Sequence, residues 1–186
     1  MIIIGITGTN GSGKGTIVEY LISEYGFKHL SVGEYLSNQL KNKNLEVNRP
    51  NLIAVGNDIR KRFGPDYIAK TLYQKAKVSS KNCVIESLRN TSEVRVLQSK
   101  GNFYLIAVDA KPKLRYQRIQ KRAEAKDKVS FGEFTKSEEK EMKSGNPYEQ
   151  NLRECIKLAD FKIKNNGTLK ELFTQIDNVL NQVIKK

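Results

Sequence analysis

The chain has no tryptophan, a single histidine, two cysteines and four prolines among its 186 residues. One histidine, His29, excludes mechanisms that need a histidine pair and metal sites built on three histidines; it reads as a structural residue at a strand end. Cys83 and Cys155 lie far apart among apolar neighbours and follow no metal-ligand spacing, so they read as reduced core thiols, with a cytoplasmic location as the expectation. No basic stretch precedes an apolar core at the N-terminus, and no apolar run approaches the roughly 18 residues of a membrane span. A soluble chain without a membrane partner is expected. The Asn-x-Ser/Thr matches at Asn90 and Asn166 carry no weight without a secretory signal.

Acidic residues are also scarce: 20 Asp and Glu face 33 Lys and Arg, a formal charge of +13. Such an excess raises nucleic acid as a partner. The lysines, however, are spread over every segment, and no aromatic residues interleave with them to make a base-stacking surface. A solvated basic surface, together with a phosphate-bearing small substrate, accounts better for the charge.

With 38% hydrophobic residues the chain can bury one sizeable core, so residues 1–186 are expected to form a single domain. Ile2 to Thr7 is a short β-branched run of the kind buried on both faces of a sheet. A helix follows from Lys14 to Tyr25, with Ile17, Val18, Leu21 and Ile22 at helical spacing and Gly26 as its stop. Further strands are expected at Lys28 to Leu30, Asn82 to Ile85, Asn102 to Val108 and Phe161 to Lys164. Helices are expected from Ser31 to Leu40, Pro50 to Phe63, Asp66 to Ala76, Thr91 to Ser99, Pro112 to Ala123, Tyr148 to Leu158, and after Gly167. Strands alternating with helices imply an α/β three-layer sandwich: a five-stranded parallel sheet with helices on both faces and ligands at the carboxyl ends of the strands. Residues 124–145 are almost all polar, with only Val129, Phe131, Phe134 and Met142 to anchor them. This composition suits a mobile flap, a lid over about 123–146.

Between the first strand and helix stands Gly8-Thr9-Asn10-Gly11-Ser12-Gly13-Lys14-Gly15-Thr16. It matches the G-x-x-x-x-G-K frame of phosphate-binding loops: the glycines let the backbone N–H groups curl toward a polyphosphate, the helix start adds its positive dipole end, and Lys14 reaches the outer phosphates. Gly8, Asn10, Gly11, Ser12, Gly13, Lys14, Gly15 and Thr16 are therefore the candidate ATP contacts. The frame ordinarily places Ser or Thr directly after the Lys, where its hydroxyl ligates Mg²⁺. Here Gly15 intervenes, so Thr16 has two open roles, on the metal or on the phosphates.

GSGKGT resembles the loop of adenylate kinases and other nucleoside monophosphate kinases rather than that of GTPases or motors. Glu86-Ser87-Leu88-Arg89, after an apolar strand, resembles their Asp-Gly-x-x-Arg segment. That resemblance implies Glu86 on metal water or the acceptor hydroxyl and Arg89 on an acceptor or transferred phosphate; a surface ion pair is the plain alternative. His29-Leu30-Ser31-Val32-Gly33-Glu34 resembles the segment that opens the acceptor helix, implying acceptor contacts from Ser31, Gly33 and Glu34 in an insert over about 31–78. The arginine that family places next is Ser37 here. Arg49, Arg60 and Arg62 are replacement cations, with Arg60 the chosen candidate. Arg115, Arg118 and Arg122 share a helix face, and Arg118 and Arg122 are assigned to charge on the transferring phosphoryl group. Ala159-Asp160-Phe161-Lys162-Ile163-Lys164-Asn165-Asn166-Gly167-Thr168 resembles the terminal segment of dephospho-CoA kinases, which implies that Asn166 and Gly167 lie by the adenine; a plain strand-to-helix turn is the alternative.

The resemblance to P-loop nucleotide kinases spans most of the chain and implies an ATP- and Mg²⁺-dependent phosphotransferase. Its catalytic set would be Lys14, Glu86, Arg89, Arg118 and Arg122, with Thr16 and Glu86 near the metal. The leading acceptor is a nucleoside or deoxynucleoside monophosphate. Dephospho-CoA kinase and a nucleotide-sensing regulatory module stand as alternatives. A homo-oligomer or a partner enzyme of nucleotide metabolism is left open.

Overall fold

The computed structural model describes residues 1–122 and 129–184. Among them, five strands form one parallel sheet in the order β2-β3-β1-β4-β5: β1 (Ile3–Gly8), β2 (Lys28–Ser31), β3 (Cys83–Glu86), β4 (Phe103–Asp109) and β5 (Phe161–Lys164). The helices between them are α1 (Lys14–Tyr25), α2 (Val32–Asn42), α3 (Arg49–Phe63), α4 (Tyr67–Ser79), α5 (Thr91–Gln98), α6 (Pro112–Arg122), α7 (Phe131–Met142), α8 (Leu152–Lys157) and α9 (Leu169–Ile184).

β1 is buried throughout, and successive residues face opposite layers. Ile3 joins Cys83, Ile85, Phe103 and Leu105 against residues of α2 to α5, whereas Ile4 and Ile6 join Val84, Ile106 and Val108 against Ile17, Leu21, Ile176 and Leu180 of α1 and α9. A parallel central strand needs apolar side chains on both faces, which is why its sequence lacks alternation. All strands run the same way, so Gly8, Ser31, Glu86, Asp109 and Lys164 end along one edge of the sheet.

Two segments differ from the sequence expectation. The polar stretch expected as a flap contains α7, a helix opened by a reciprocal capping box between Ser130 and Glu133. Its docked side carries Phe134 together with Glu138, paired to Arg115, and Glu141, paired to Arg49 and Arg89. Ion pairs supplement a short aromatic contact of Phe131 and Phe134 with Tyr116, so hydrophobic patterning alone underestimates this helix. The part of the lid over 123–128, and the expected end of the preceding helix at Ala123, lie outside the described residues.

The helix expected from Tyr148 begins only at Leu152. Before it, Asn90 Nδ2 donates to the carbonyls of Pro147 and Glu149, and Asn151 caps α8 by accepting from the Glu154 N–H. Side-chain amides that bind the backbone in this way compete with helix.

Between α3 and α5, Arg60 Nε donates to Glu93 Oε1 at 2.9 Å; the two side chains are 1% and 0% exposed. Removing one partner of such a pair leaves an uncompensated buried charge, at a cost of about 3–5 kcal/mol. Glu93→Ala is therefore expected to lose about that much unfolding free energy in urea titrations. A loss below about 1 kcal/mol would show that water reaches Arg60.

Candidate functional site

The loop from Gly8 to Lys14 leaves β1 by a turn that only glycine accommodates. Gly8 has φ 138°, and a Cβ there would lie 2.0 Å from the Val108 carbonyl oxygen of the neighbouring strand. The loop is then braced from β4 and the end of β5: Thr9 Oγ1 donates to Asp109 Oδ1 at 2.7 Å, and Asn165 Nδ2 donates to the Ser12 carbonyl at 2.9 Å. At the N-terminus of α1, Gly13 supplies no side-chain cap, so the first N–H groups of the helix keep their donor capacity.

Lys14 folds back over this loop, its Nζ donating to the carbonyls of Gly8 at 2.9 Å and Thr9 at 2.6 Å. Burial, reinforced by the positive charge of Arg89 and opposed by Glu86 and Glu141, lowers its pKa to about 7.

Glu86 ends β3 beside the adjacent strand β2, and its Oε1 lies 3.4 Å from His29 Nε2. Burial pushes the carboxyl up, but His29 close beside it, the Ser31 hydroxyl and Lys14 outweigh it, and the pKa falls below the usual carboxylate range. The nearby Glu86 carboxylate, against partial burial, raises that of His29 in turn. His29 is thus a brace for the central carboxylate as well as a strand-end residue. The next residue, Ser87, has φ 65°, the left-handed conformation that suits the glycine of the motif it resembles.

A cavity of about 690 Å³ joins these parts. One wall is Asn10, Gly11, Gly13, Lys14, Gly15 and Thr16; the facing wall includes Gly33, Arg49, Arg60, Glu86 and Arg89, and Arg118 and Arg122 enter from α6. Arg118 Nη1 is out of water without a hydrogen-bond partner, as is Ser12 Oγ. Gly15 has nothing within 4 Å of the place where a Cβ would stand, so its lack of a side chain leaves the mouth of the loop open.

Several expected residues stand elsewhere. Gly8 and Ser12 shape the loop from behind, Ser31 caps α2 by accepting from the Glu34 N–H at 3.2 Å, and Glu34 is exposed. Arg60 borders the cavity but is committed to Glu93. Arg115, on the same helix as Arg118 and Arg122, turns away from the cavity to donate to Ala110 O and Asn10 O and to pair with Glu138. Asn166 Oδ1 accepts from the Lys111 N–H at 2.8 Å, and Asn166 and Gly167 are not part of the cavity wall. Their neighbour Asn165 is the residue that meets the loop.

Glu141, Asn165, Asp109 and His29 were not selected as site residues from the sequence. The capping box ahead of α7, with acidic residues three apart at 138 and 141, is the available signal for Glu141; His29 and Asn165 stand inside the family-like segments, which mark the stretch but not these roles.

Residues 7–134 match the family model described as AAA domain. The chain is 27% identical over 187 residues to UPF0200 protein MJ1399 of Methanocaldococcus jannaschii, an alignment covering 99% of this chain and 91% of that one. Among solved structures it resembles a gluconokinase from Sinorhizobium meliloti 1021 (TM-score 0.57, 12% identity, 98% and 93% coverage). It also resembles a shikimate kinase from Bacteroides thetaiotaomicron (TM-score 0.57, 10% identity, 98% of both chains). These likenesses establish the fold of P-loop kinases. With the model matching more than half of its length, the chain belongs to the AAA domain family.

Proposed function

We propose that the protein transfers a phosphoryl group from ATP to a small phosphorylated acceptor, with a nucleoside or deoxynucleoside monophosphate as the leading candidate. The observation that carries this reading is the pairing of walls across one cavity: a glycine loop with Lys14 and the start of α1 on one side, and Glu86 with Arg49 and Arg89 on the other. The loop and Lys14 suit the β- and γ-phosphates, and the uncapped N-terminus of α1 and the orphaned Arg118 Nη1 suit additional negative charge. Arg118 and Arg122 would neutralise the group in transfer while Glu86 orients the acceptor. Such catalysis rests on positioning and electrostatics, with no covalent intermediate on the protein.

Among the described residues, no group of three or more His, Cys, Asp or Glu could hold a metal ion by itself. Mg²⁺ ordinarily keeps most of its ligands from phosphates and water, and the Glu86 carboxylate and Thr16 hydroxyl are the candidate protein contacts, directly or through water. When bound, the ion would neutralise donor phosphate oxygens.

Dephospho-CoA is the second acceptor to test, because the segment that resembles its kinases places Asn165 on the glycine loop. A regulatory module that binds nucleotide with little turnover is the reading from another class. No helix among the described residues is long and apolar enough to cross a membrane.

Incubation with ATP, Mg²⁺ and a panel of nucleoside monophosphates, dephospho-CoA, gluconate and shikimate, followed by phosphorus NMR, is expected to show one monophosphate converted to diphosphate. Lys14→Ala should lower that rate by about 10²-fold or more. ADP formation indifferent to every acceptor would overturn the transfer reading, and tight ATP binding without turnover would favour the regulatory one.

The lowered pKa of Lys14 gives a second test. Above about pH 7 the free protein holds this amine increasingly neutral, whereas a bound polyphosphate favours the ammonium form. Binding must then take up a proton above about pH 7, and affinity falls by up to about tenfold per pH unit until the pKa of the complex is reached. Calorimetry at about pH 8.5, where ATP itself no longer titrates, in buffers of different ionisation enthalpy should report uptake approaching about one proton. Lys14→Arg should abolish that uptake; its absence in the unaltered protein would place Lys14 off the phosphates.

A further inference from the structure

The cavity wall opposite the glycine loop contains an ion triad of which one member, Glu141, has no part in the transfer chemistry. Arg49, at the start of α3, places Nε and Nη2 each 2.7 Å from Glu141 Oε1, and Arg89, just beyond β3, donates through Nη1 to Glu141 Oε2. Each guanidinium therefore takes one carboxylate oxygen. The two arginine side chains remain 27% and 17% exposed and line the cavity, while Glu141 is 3% exposed.

Glu141 reaches this position from α7. Phe134, Glu138 and Glu141 are spaced four and three residues apart and so share one helix face. Phe134 lies under the Arg115 guanidinium at 5.4 Å, Glu138 pairs with Arg115, and Glu141 completes the row. The helix is thus docked so as to deliver one carboxylate between two arginines at the edge of the cavity.

One carboxylate meets two guanidinium charges, so the triad keeps a net positive charge. A phosphate monoester brings nearly two negative charges and three acceptor oxygens, which fit a pair of guanidinium groups better than a single carboxylate does. We propose that Arg49 and Arg89 form a binding site for the phosphate group of a phosphomonoester, and that Glu141 is its built-in occupant, which an incoming phosphate displaces. The assignment rests on the reading that this wall receives the acceptor, and it adds that acceptor binding is coupled to the release of α7. An internal competitor lowers the apparent affinity of every ligand by the same factor, the fraction of molecules in which the site is free. By reciprocity, a ligand that takes the arginines must weaken the docking of α7.

The test uses the intact protein with inorganic phosphate and methyl phosphate as probes. By calorimetry, Glu141→Gln is expected to bind both more tightly, by about tenfold or more and by the same factor for each. Adding Arg49→Gln to that variant should reverse the gain; phosphate lodged in the glycine loop instead would be indifferent to both changes. In the unaltered protein, phosphate should speed hydrogen exchange over residues 131–142. Equal or weaker phosphate binding by Glu141→Gln would overturn the proposal, as would slower exchange over 131–142 on adding phosphate, the mark of a helix that closes over its ligand. Because these readouts need no turnover, they stand apart from the transfer assay: the site can bind phosphate in a protein that phosphorylates nothing in the panel, and transfer can occur with Glu141 in place.

Discussion

The close approach of Gly8 to β4 is the constraint on which the site depends. The chain leaves the sheet at a point where a Cβ would lie 2.0 Å from the Val108 carbonyl oxygen, in a backbone conformation that disfavours a side chain. Leaving there, it has the five residues Thr9 to Gly13 in which to curl before α1 begins at Lys14. That geometry puts Lys14 back over the carbonyls of Gly8 and Thr9 and aims the start of the helix at the cavity. The braces come from Asp109 at the end of β4 and Asn165 just beyond β5, so the sheet fixes the loop that its own glycines permit.

Around this loop the main problem is electrostatic. Lys14, Arg49, Arg89, Arg118 and Arg122 share one cavity with two carboxylates on its wall, Glu86 and the exposed Glu19, and Glu141 reaches in behind Arg49 and Arg89. Like charges gathered in a partly dry cleft repel one another, and the lowered pKa of Lys14 is one outcome of burial beside Arg89. Glu86 and Glu141 soften that repulsion, and each has a pKa below the usual range because neighbouring cations outweigh its burial. The arrangement has spare capacity for anions, which is the property a polyphosphate site requires.

Much of the fold was legible because its signals are local. β1, the glycine loop and α1 follow from a β-branched run, a glycine frame and helical spacing, and the alternation of strands and helices implies the parallel sheet. Glu86 and Arg89, which line the cavity, are picked out by a strand end and a three-residue interval, signals that are also local. Asn165 and His29 were not chosen, since their importance comes from which strands lie side by side: β2 beside β3 brings His29 to Glu86, and the end of β5 brings Asn165 to Ser12. Ser87 shows the opposite case, where a substitution within a familiar segment keeps the conformation that the segment needs.

The polar segment before Gly145 was the hardest to read, and for a physical reason. Helix docking is ordinarily recognised by an apolar stripe, because burial of apolar surface is the usual source of its stability. α7 has only a short apolar contact, Phe131 and Phe134 against Tyr116, and docks as well through Glu138 and Glu141 on arginines that come from α6, from the start of α3 and from the turn after β3. Apolar contacts cannot be exchanged for a charged ligand, but a carboxylate on a guanidinium can be replaced by a phosphate on the same groups. A helix held in this way is tied to the charge state of the cavity beneath it. Composition alone registers only the shortage of apolar residues, not the arginine partners on which α7 is docked.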